Sequence, residues 1–254
     1  MSLNTGRQQQ IAQIVRQQRS ATVQELSAQF GVSEATIRRD LEKLDGQGVI
    51  QRAHGGAVAL ESALPEPPIV RRLRDNQDEK RRIGLAAARL VHDGETIFLG
   101  SGTTTIEVAR QLGEKRDLKV ITNALNVANI LANFEHITVI ITGGLLRHSE
   151  MSMIGHLTEQ AMRELRADKA IMSIRALSLG AGLTNEYGME TTIDRAIIGF
   201  APHVIVLADH SKWGKSATAF VAPVSAAHTI VTTDAAPSAM VKQLQTQGIQ
   251  IVFG

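Results

Sequence analysis

Along the first 60 residues, apolar side chains recur at helical spacing in three short blocks. Ile11, Ile14 and Val15 form one stripe, a second block runs from Leu26 to Phe30, and Ile37, Leu41 and Leu44 form a third. From Thr96 onward the pattern changes. Short apolar runs at Thr96–Leu99, Lys119–Ile121, Thr138–Ile141, Lys169–Ile174, Val204–Leu207, Thr229–Val231 and Ile249–Phe253 alternate with helical stretches. That alternation predicts a mostly parallel sheet with helices on its faces. Between the two regimes lie Pro65, Pro67 and Pro68, which lack the N–H that helices and sheets use, so Leu60 to Asn76 is expected to be an extended connector. The chain is thus expected to be α/β in class, with a small helical domain at 1–59, a linker at 60–76 and a larger, mostly parallel α/β domain at 77–254.

Local signals sharpen the first domain. Thr22-Val23-Gln24-Glu25 has the spacing of a capping box, in which hydroxyl and carboxylate satisfy each other's backbone donors. Gly31 supplies a tight turn, and Ser33 can cap the helix that follows. Helix, helix, glycine turn, helix is the order of a helix-turn-helix. Relative to the stripe of Ile37, Leu41 and Leu44, the positions farthest from the core are Ala35, Arg39, Glu42 and Lys43. Thr36 and Arg38 lie on the flanks, and Asp40 leans inward, which gives it a structural role. Small, hydroxyl and guanidinium groups on one surface suit base edges and phosphates; an ordinary solvated charged helix is the alternative. Val49-Ile50 and Ala57-Val58 can pair around a glycine turn carrying Arg52 and His54, which would make a wing, or the segment is a plain hinge.

Composition narrows the partners. The 254 residues are 43% hydrophobic and 20% charged, with no apolar run of about 20 residues, the length of a membrane span. The N-terminus is polar and rich in Gln, unlike a secretory signal, and there is no cysteine. A soluble cytoplasmic protein, with no membrane association, is expected. A net charge of +2 argues against a general polyanion binder. Aromatics at 3% leave no stacking platform for single strands, so duplex DNA is the remaining nucleic-acid candidate.

In a parallel sheet of this kind, ligands bind beyond the carboxyl ends of the strands. Gly100-Ser101-Gly102-Thr103-Thr104-Thr105 lies between a strand and the helix expected over Ile106–Leu112. Its glycines allow close backbone approach, its hydroxyls can donate, and the helix start favours an anion. A turn of small residues without a ligand is the alternative. Thr122-Asn123-Ala124, Thr142-Gly143-Gly144, Arg175-Ala176-Leu177 and Asp209-His210-Ser211-Lys212-Trp213-Gly214 follow four further strands. Lys212 and Arg175 would neutralise the anion, and Asn123 would bind hydroxyls. Trp213 either packs over the site entrance or anchors its loop. The run Asp78 to Arg82 reads as a solvated helix start in preference to a second DNA site, and Met151 and Met153 as core. Proton transfer beside a carbonyl needs a base at the ligand. Residues 176–182, expected to be the loop after the fourth strand, contain no carboxylate, and Glu186, Glu190 and Asp194 are expected on a helix surface. The scattered histidines lack metal-ligand spacing, so neither a metal nor a cofactor is expected.

Arg7, Ile11, Val15, then Ser33-Glu34-Ala35-Thr36-Ile37-Arg38-Arg39-Asp40-Leu41, then Arg52-Ala53-His54-Gly55-Gly56-Ala57 resemble the N-terminal signature of DeoR-type bacterial transcriptional regulators. Leu99 to Thr104, Thr122-Asn123, Gly143-Gly144 and Asp209 to Lys212 extend the resemblance to the sensor domain of that family. The resemblance implies a winged helix-turn-helix whose third helix enters the major groove. It also implies a sensor similar in fold to ribose-5-phosphate isomerase. Ser33, Ala35, Thr36, Arg38, Arg39 and His54 are then candidate DNA contacts, with Arg7, Arg16, Arg19, Lys43 and Arg52 at phosphates by charge and position. Ser101, Gly102, Thr103, Thr104, Thr105, Asn123, Gly143, Gly144, Arg175 and Lys212 are candidates for a phosphorylated sugar or polyol effector. Gly100 departs from the family, which often has an acidic residue there. The expected protein is a repressor of a sugar or polyol catabolic operon that binds duplex operator DNA as a homo-oligomer, a dimer or tetramer. The competing class is a sugar-phosphate isomerase with an appended DNA-binding domain.

Overall fold

The computed structural model describes residues 3–18, 20–46, 51–53, 55–58, 68–186 and 188–254. The chain divides into two compact units, Met1–Leu64 and Pro65–Gly254.

The first unit contains α1 (Leu3–Gln18), β1 (Ser20–Thr22), α2 (Val23–Phe30), α3 (Glu34–Gly46), β2 (Gln51–Ala53) and β3 (Gly56–Val58). Ile11 and Val15 of α1, Leu26 of α2, and Ile37, Leu41 and Leu44 of α3 meet in its core, as the three stripes require. The capping box forms at the start of α2. Glu25 N donates to Thr22 Oγ1 at 3.2 Å and Thr22 N to Glu25 Oε2 at 2.7 Å. Bonds from the Thr22 backbone and side chain hold the Glu25 carboxyl below its usual range. Gly31 closes α2 with φ of 63°. Ser33 caps α3, its hydroxyl accepting from Thr36 N at 3.3 Å.

Asp40 is 4% exposed. It accepts from Arg7 Nε at 2.7 Å and Gln8 Nε2 at 2.8 Å, which ties α3 to α1. The wing is a three-stranded sheet of order β1-β3-β2. In it Val58 pairs with Gln51 and Ala57 with Arg52, a register later than the expected pairing with Val49 and Ile50, which lie outside the described residues. The three-residue strand β1 was too short to predict.

The second unit opens with α4 (Ile69–Arg72) and α5 (Gln77–Arg89), then β4 (Thr96–Leu99), α6 (Thr103–Arg110), β5 (Lys119–Thr122), α7 (Leu125–Leu131) and β6 (Thr138–Ile141). A small hairpin, β7 (Leu145–Arg147) and β8 (Ser152–Ile154), leads into α8 (His156–Glu164). There follow β9 (Lys169–Ser173), β10 (Ala176–Ser178), β11 (Gly182–Asn185), α9 (Gly188–Phe200), β12 (His203–Leu207), β13 (Ala219–Ala222), β14 (Thr229–Thr232), α10 (Ser238–Thr246) and β15 (Gln250–Phe253). All seven predicted strands join one sheet of order β15-β14-β12-β9-β4-β5-β6, and every pairing in it is parallel.

Alternation along the strands fills two cores. Ile97, Leu99, Ile171 and Leu207 pack with Ile83 of α5, Ile106 of α6 and Leu131 of α7. Phe98, Met172 and Val206 pack with Met162 of α8, Ile197 of α9 and Leu244 of α10. Among the described residues, no helix is long and apolar enough to cross a membrane.

Three expectations are corrected. The connector expected to be extended to Asn76 is helical at Ile69–Arg72 and part of the second unit: Ile69 is buried and its N–H donates to Ser149 O at 2.7 Å. An isoleucine directly after the prolines has an apolar surface to bury, and the sheet domain supplies the place. Residues 176–182 are not a loop, because β10 and β11 pair antiparallel and β13 completes a second small sheet. The helix expected over Ile106–Leu112 starts at Thr103 and ends at Arg110.

Replacing Asp40 by Ala removes the acceptor of two bonds, one from a charged donor. It should cost the N-terminal unit about 2 kcal/mol, the range for hydrogen bonds involving charge. Faster amide exchange in α1 and α3, with exchange in the second unit unchanged, is the expected readout.

Candidate operator and effector sites

On α3 the candidate readers divide by what already holds them. Arg39 and Lys43 are exposed and make no ion pair among the described residues. Arg38 pairs with Glu34 one turn earlier at 3.1 Å, an exposed pair of small energetic value. Ala35 is exposed, and Thr36 is half-buried with its hydroxyl 2.9 Å from that of Ser33. Arg7, a phosphate candidate by charge, is instead spanned inward to Asp40. Arg16 lies in α1 and Arg52 in β2, but neither side chain belongs to the described set; Arg19 and His54 lie outside it altogether. Gly55 O accepts from Val23 N at 2.9 Å, which fixes the wing turn to the start of α2.

In the second unit the strand order places the site. From β4 the chain moves outward through β5 to β6, then returns to β9 on the other side of β4 and moves outward through β12, β14 and β15. The reversal between β4 and β9 is the topological switch point, where open parallel sheets leave a crevice. The loop after β4 and the end of β9 meet there. A Cβ on Gly102, whose φ is 133°, would lie 2.9 Å from Ser173 Cβ, so only glycine permits the approach. Thr103, Thr104 and Thr105 form the buried first turn of α6. The Thr105 hydroxyl donates to Gly102 O at 2.8 Å, so that donor is already engaged. A Cβ at Gly100 would have room, 3.6 Å from Ile171 O and beside Met172 and Ile197.

Asn123 is 1% exposed. Its Nδ2 donates to Met153 O at 3.2 Å, while its Oδ1 is buried with no partner among the described residues. Thr142 Oγ1, Ser173 Oγ and Thr232 Oγ1 are likewise buried and unpartnered, and these four follow or end β5, β6, β9 and β14. A packed interior pays about 1–3 kcal/mol for each such group. All four lie at the carboxyl ends of the parallel strands. Gly144 has a packing reason instead: a Cβ there would meet Thr158 Oγ1 at 2.3 Å and Ile154 O at 2.7 Å. Gly143 precedes it with φ of 69° and gives its carbonyl to Thr158 Oγ1 at 2.7 Å.

The cations are arranged differently from expectation. Arg175 is engaged by Glu186, Nε to Oε1 at 2.9 Å, and its N–H donates to Asn185 Oδ1. Glu186 is largely buried, with Oε2 unpartnered, and Asp194 is buried and accepts from Asn185 Nδ2. The expectation of helix-surface carboxylates is therefore wrong for both: Glu186, just after β11, faces Arg175, and Asp194 turns from α9 toward Asn185; the Glu190 side chain lies outside the described set. Lys80 was missed. Within the run expected to be solvated it is 5% exposed, and its Nζ donates to Arg72 O at 2.7 Å. Burial lowers its pKa, Asp209 works against that, and Lys212 adds to it. The signal was legible: Lys80 stands three residues before Ile83 and seven before Ala87, on the buried stripe of α5.

Asp209 and Lys212 bracket a single 3-10 turn after β12. Asp209 Oδ1 accepts from Ser211 N at 2.9 Å and from Asn76 Nδ2 at 3.2 Å. Burial alone would raise the Asp209 carboxyl, but the Ser211 hydroxyl, Lys212, the Ser211 N–H and Lys80 outweigh it and hold it low. Glu79 accepts from His210 and from Thr233 Oγ1, the latter at 2.8 Å. Trp213 is a buried loop anchor. Hollows of about 650 Å³ beside Met162 and Phe200 and about 850 Å³ beside Leu85 and Phe134 lie away from these loops. Among the described residues no cluster of three or more His, Asp or Glu is placed to hold a metal.

An N-terminal helix-turn-helix with a wing, followed by a parallel sheet whose order reverses between β4 and β9 and whose strand ends carry polar groups, is the architecture of a ligand-responsive DNA-binding protein. The chain belongs to the DeoR family of transcriptional regulators: residues 7–63 match the DeoR-like helix-turn-helix domain and residues 75–234 the DeoR C-terminal sensor domain. It is 34% identical over 249 residues to a putative aga operon transcriptional repressor of Escherichia coli O157:H7, covering 97% of this chain and 93% of that one. It is 36% identical over 242 residues to the glycerol-3-phosphate regulon repressor of Escherichia coli K12, covering 95% of each. A solved ribose 5-phosphate isomerase A of Methanocaldococcus jannaschii overlaps 55% of each chain at 22% identity with a TM-score of 0.41, a likeness from which nothing further follows.

Because Asp209 is held below its usual value of 3.8, the unfolded chain takes up this proton first as the pH falls. The stability it contributes is complete above that value and is lost as the pH drops through the lower, folded-state value. Asp209→Asn should therefore be less stable than the parent at pH 7, with the gap closing below pH 3.8, as read by chemical denaturation across that range.

Proposed function

We propose that this protein represses a sugar or polyol catabolic operon in the cytoplasm and leaves its operator when a phosphorylated sugar or polyol occupies the crevice. Support for the operon class comes from the relatives, named as repressors of an aga operon and of a glycerol-3-phosphate regulon. The observation that carries the ligand class is the pairing of opposite chemistries along one strand edge. Lys80 and Lys212 flank Asp209 at the β12 end, and Asn123 Oδ1 and Glu186 Oε2 are acceptors without donors among the described residues. Lys80, Lys212 and the N–H groups of the Ser101–Thr105 loop take the phosphate, and the two acceptors take ligand hydroxyls. Arg175 positions Glu186 instead of meeting the anion. Regulation, not turnover, is the role, consistent with relatives that are transcriptional regulators.

At the DNA, Arg39 and Lys43 on the outer face of α3 are the readers, with Thr36 and Arg38 beside them. Arg7 acts through Asp40, as a brace of α3. A homo-oligomer presents two such helices to half-sites at fixed spacing. The effector works by binding one sensor conformation better than the other. A coupling of about 1–3 kcal/mol between the two ligands is the usual size.

Two sets of variants test this by fluorescence anisotropy on an operator duplex. Arg39→Ala should lose about 1–3 kcal/mol and its preference at one base pair; equal weakening on every sequence would move Arg39 to the phosphates. Lys212→Gln should bind operator as the parent does yet resist release by the sugar or polyol phosphate that releases the parent. Unchanged release would remove the proposed anion site.

A further inference from the structure

Among the described residues the seven-stranded sheet ends at β6, which pairs only with β5. Thr138 N donates to Leu118 O and Thr142 N to Thr122 O, both at 3.0 Å, so these residues turn their backbone groups into the sheet. By alternation, the N–H and C=O groups of Val139 and Ile141 face outward, and no described residue pairs with them. Natural sheets protect such an edge with lysine, proline, charge or a bulge. Thr138-Val139-Ile140-Ile141 has none of these, and no charged residue occurs between His136 and Arg147.

The edge is also flanked by apolar surface. Ile141 is 46% exposed, Leu145 66% and Leu157 62%. They converge, because Thr158 Oγ1 binds Gly143 O and Leu145 pairs across the hairpin with Ile154 at the entry to α8. The opposite edge, β15, offers one large exposed apolar side chain, Phe253.

We infer that the β6 edge, with Ile141, Leu145 and Leu157, is where two copies of this chain join, strand to strand across a two-fold axis. A two-fold axis makes the pairing antiparallel and self-complementary. Setting Val139 opposite Ile141 of the second copy matches the outward backbone groups of both strands. In that register Thr138 meets Thr142 and His136 meets Gly144, so no like charges face each other. A second copy is the occupant the function requires, since each chain brings one recognition helix; in this the inference rests on the operator reading above.

The full-length protein without DNA provides the test. Light scattering at micromolar concentration should give the mass of two chains or an even multiple. Ile141→Lys with Leu145→Lys should halve that mass, whereas Phe253→Lys should leave it unchanged. Ile141→Cys, in a chain that otherwise has no cysteine, should cross-link to its counterpart with a short bismaleimide, whereas Phe253→Cys should not. A single-chain mass for the parent, an unchanged mass for a folded double variant, or cross-linking at 253 in place of 141 would overturn the inference. If the double variant does not fold, the cysteine pair decides. A paired protein that binds no duplex operator would refute the operator reading and leave this one standing.

Discussion

A lysine ammonium taken out of water is tolerated only where carbonyls and carboxylates replace its hydration. Lys80 meets that requirement by donating to Arg72 O and by lying in the field of Asp209. The rest of the sensor's upper edge depends on the same arrangement. Asp209 is fixed by Ser211 and Asn76, Glu79 holds His210 and Thr233, and Arg72 pairs with Glu150. Groups from α4 and α5 thus interlock with the turn after β12 and the end of β14. These two helices are also the first described elements after the linker.

The sheet supplies the second condition, a place for a ligand to alter that charge balance. Strand reversal between β4 and β9 sets the switch point, and the tight contact of Gly102 with Ser173 brings the amino end of α6 to it. Buried oxygens at the ends of β5, β6, β9 and β14 line the same edge. In the proposed reading, an anion at α6 and ligand hydroxyls at Asn123 and Glu186 satisfy groups that lack partners among the described residues, and that gain is what a conformational shift can draw on.

Much of this was legible in the sequence. The three apolar stripes, the Thr22 to Glu25 capping box, Gly31 and Ser33 specify the helix-turn-helix through local chemistry alone, and the seven apolar runs became the seven parallel strands. Asp40 was recognisable as inward by angle. What escaped were long-range pairings. Nothing local says that Arg7 reaches Asp40, 33 residues away, or that Arg175 is neutralised by Glu186 across a hairpin. Strand order, which puts β9 beside β4, is likewise invisible to periodicity. Lys80 is the instructive miss, because a charged residue on a buried stripe announces a partner, and the surrounding charges concealed the stripe.

Reciprocity between the two ligands tests the central claim most directly. Calorimetric affinity for a releasing sugar or polyol phosphate would be measured with and without saturating operator duplex, beside operator affinity with and without that phosphate. The account predicts that each ligand weakens the other by the same factor, within about 5- to 150-fold. Equal affinity for the phosphate on free and operator-bound protein would contradict it.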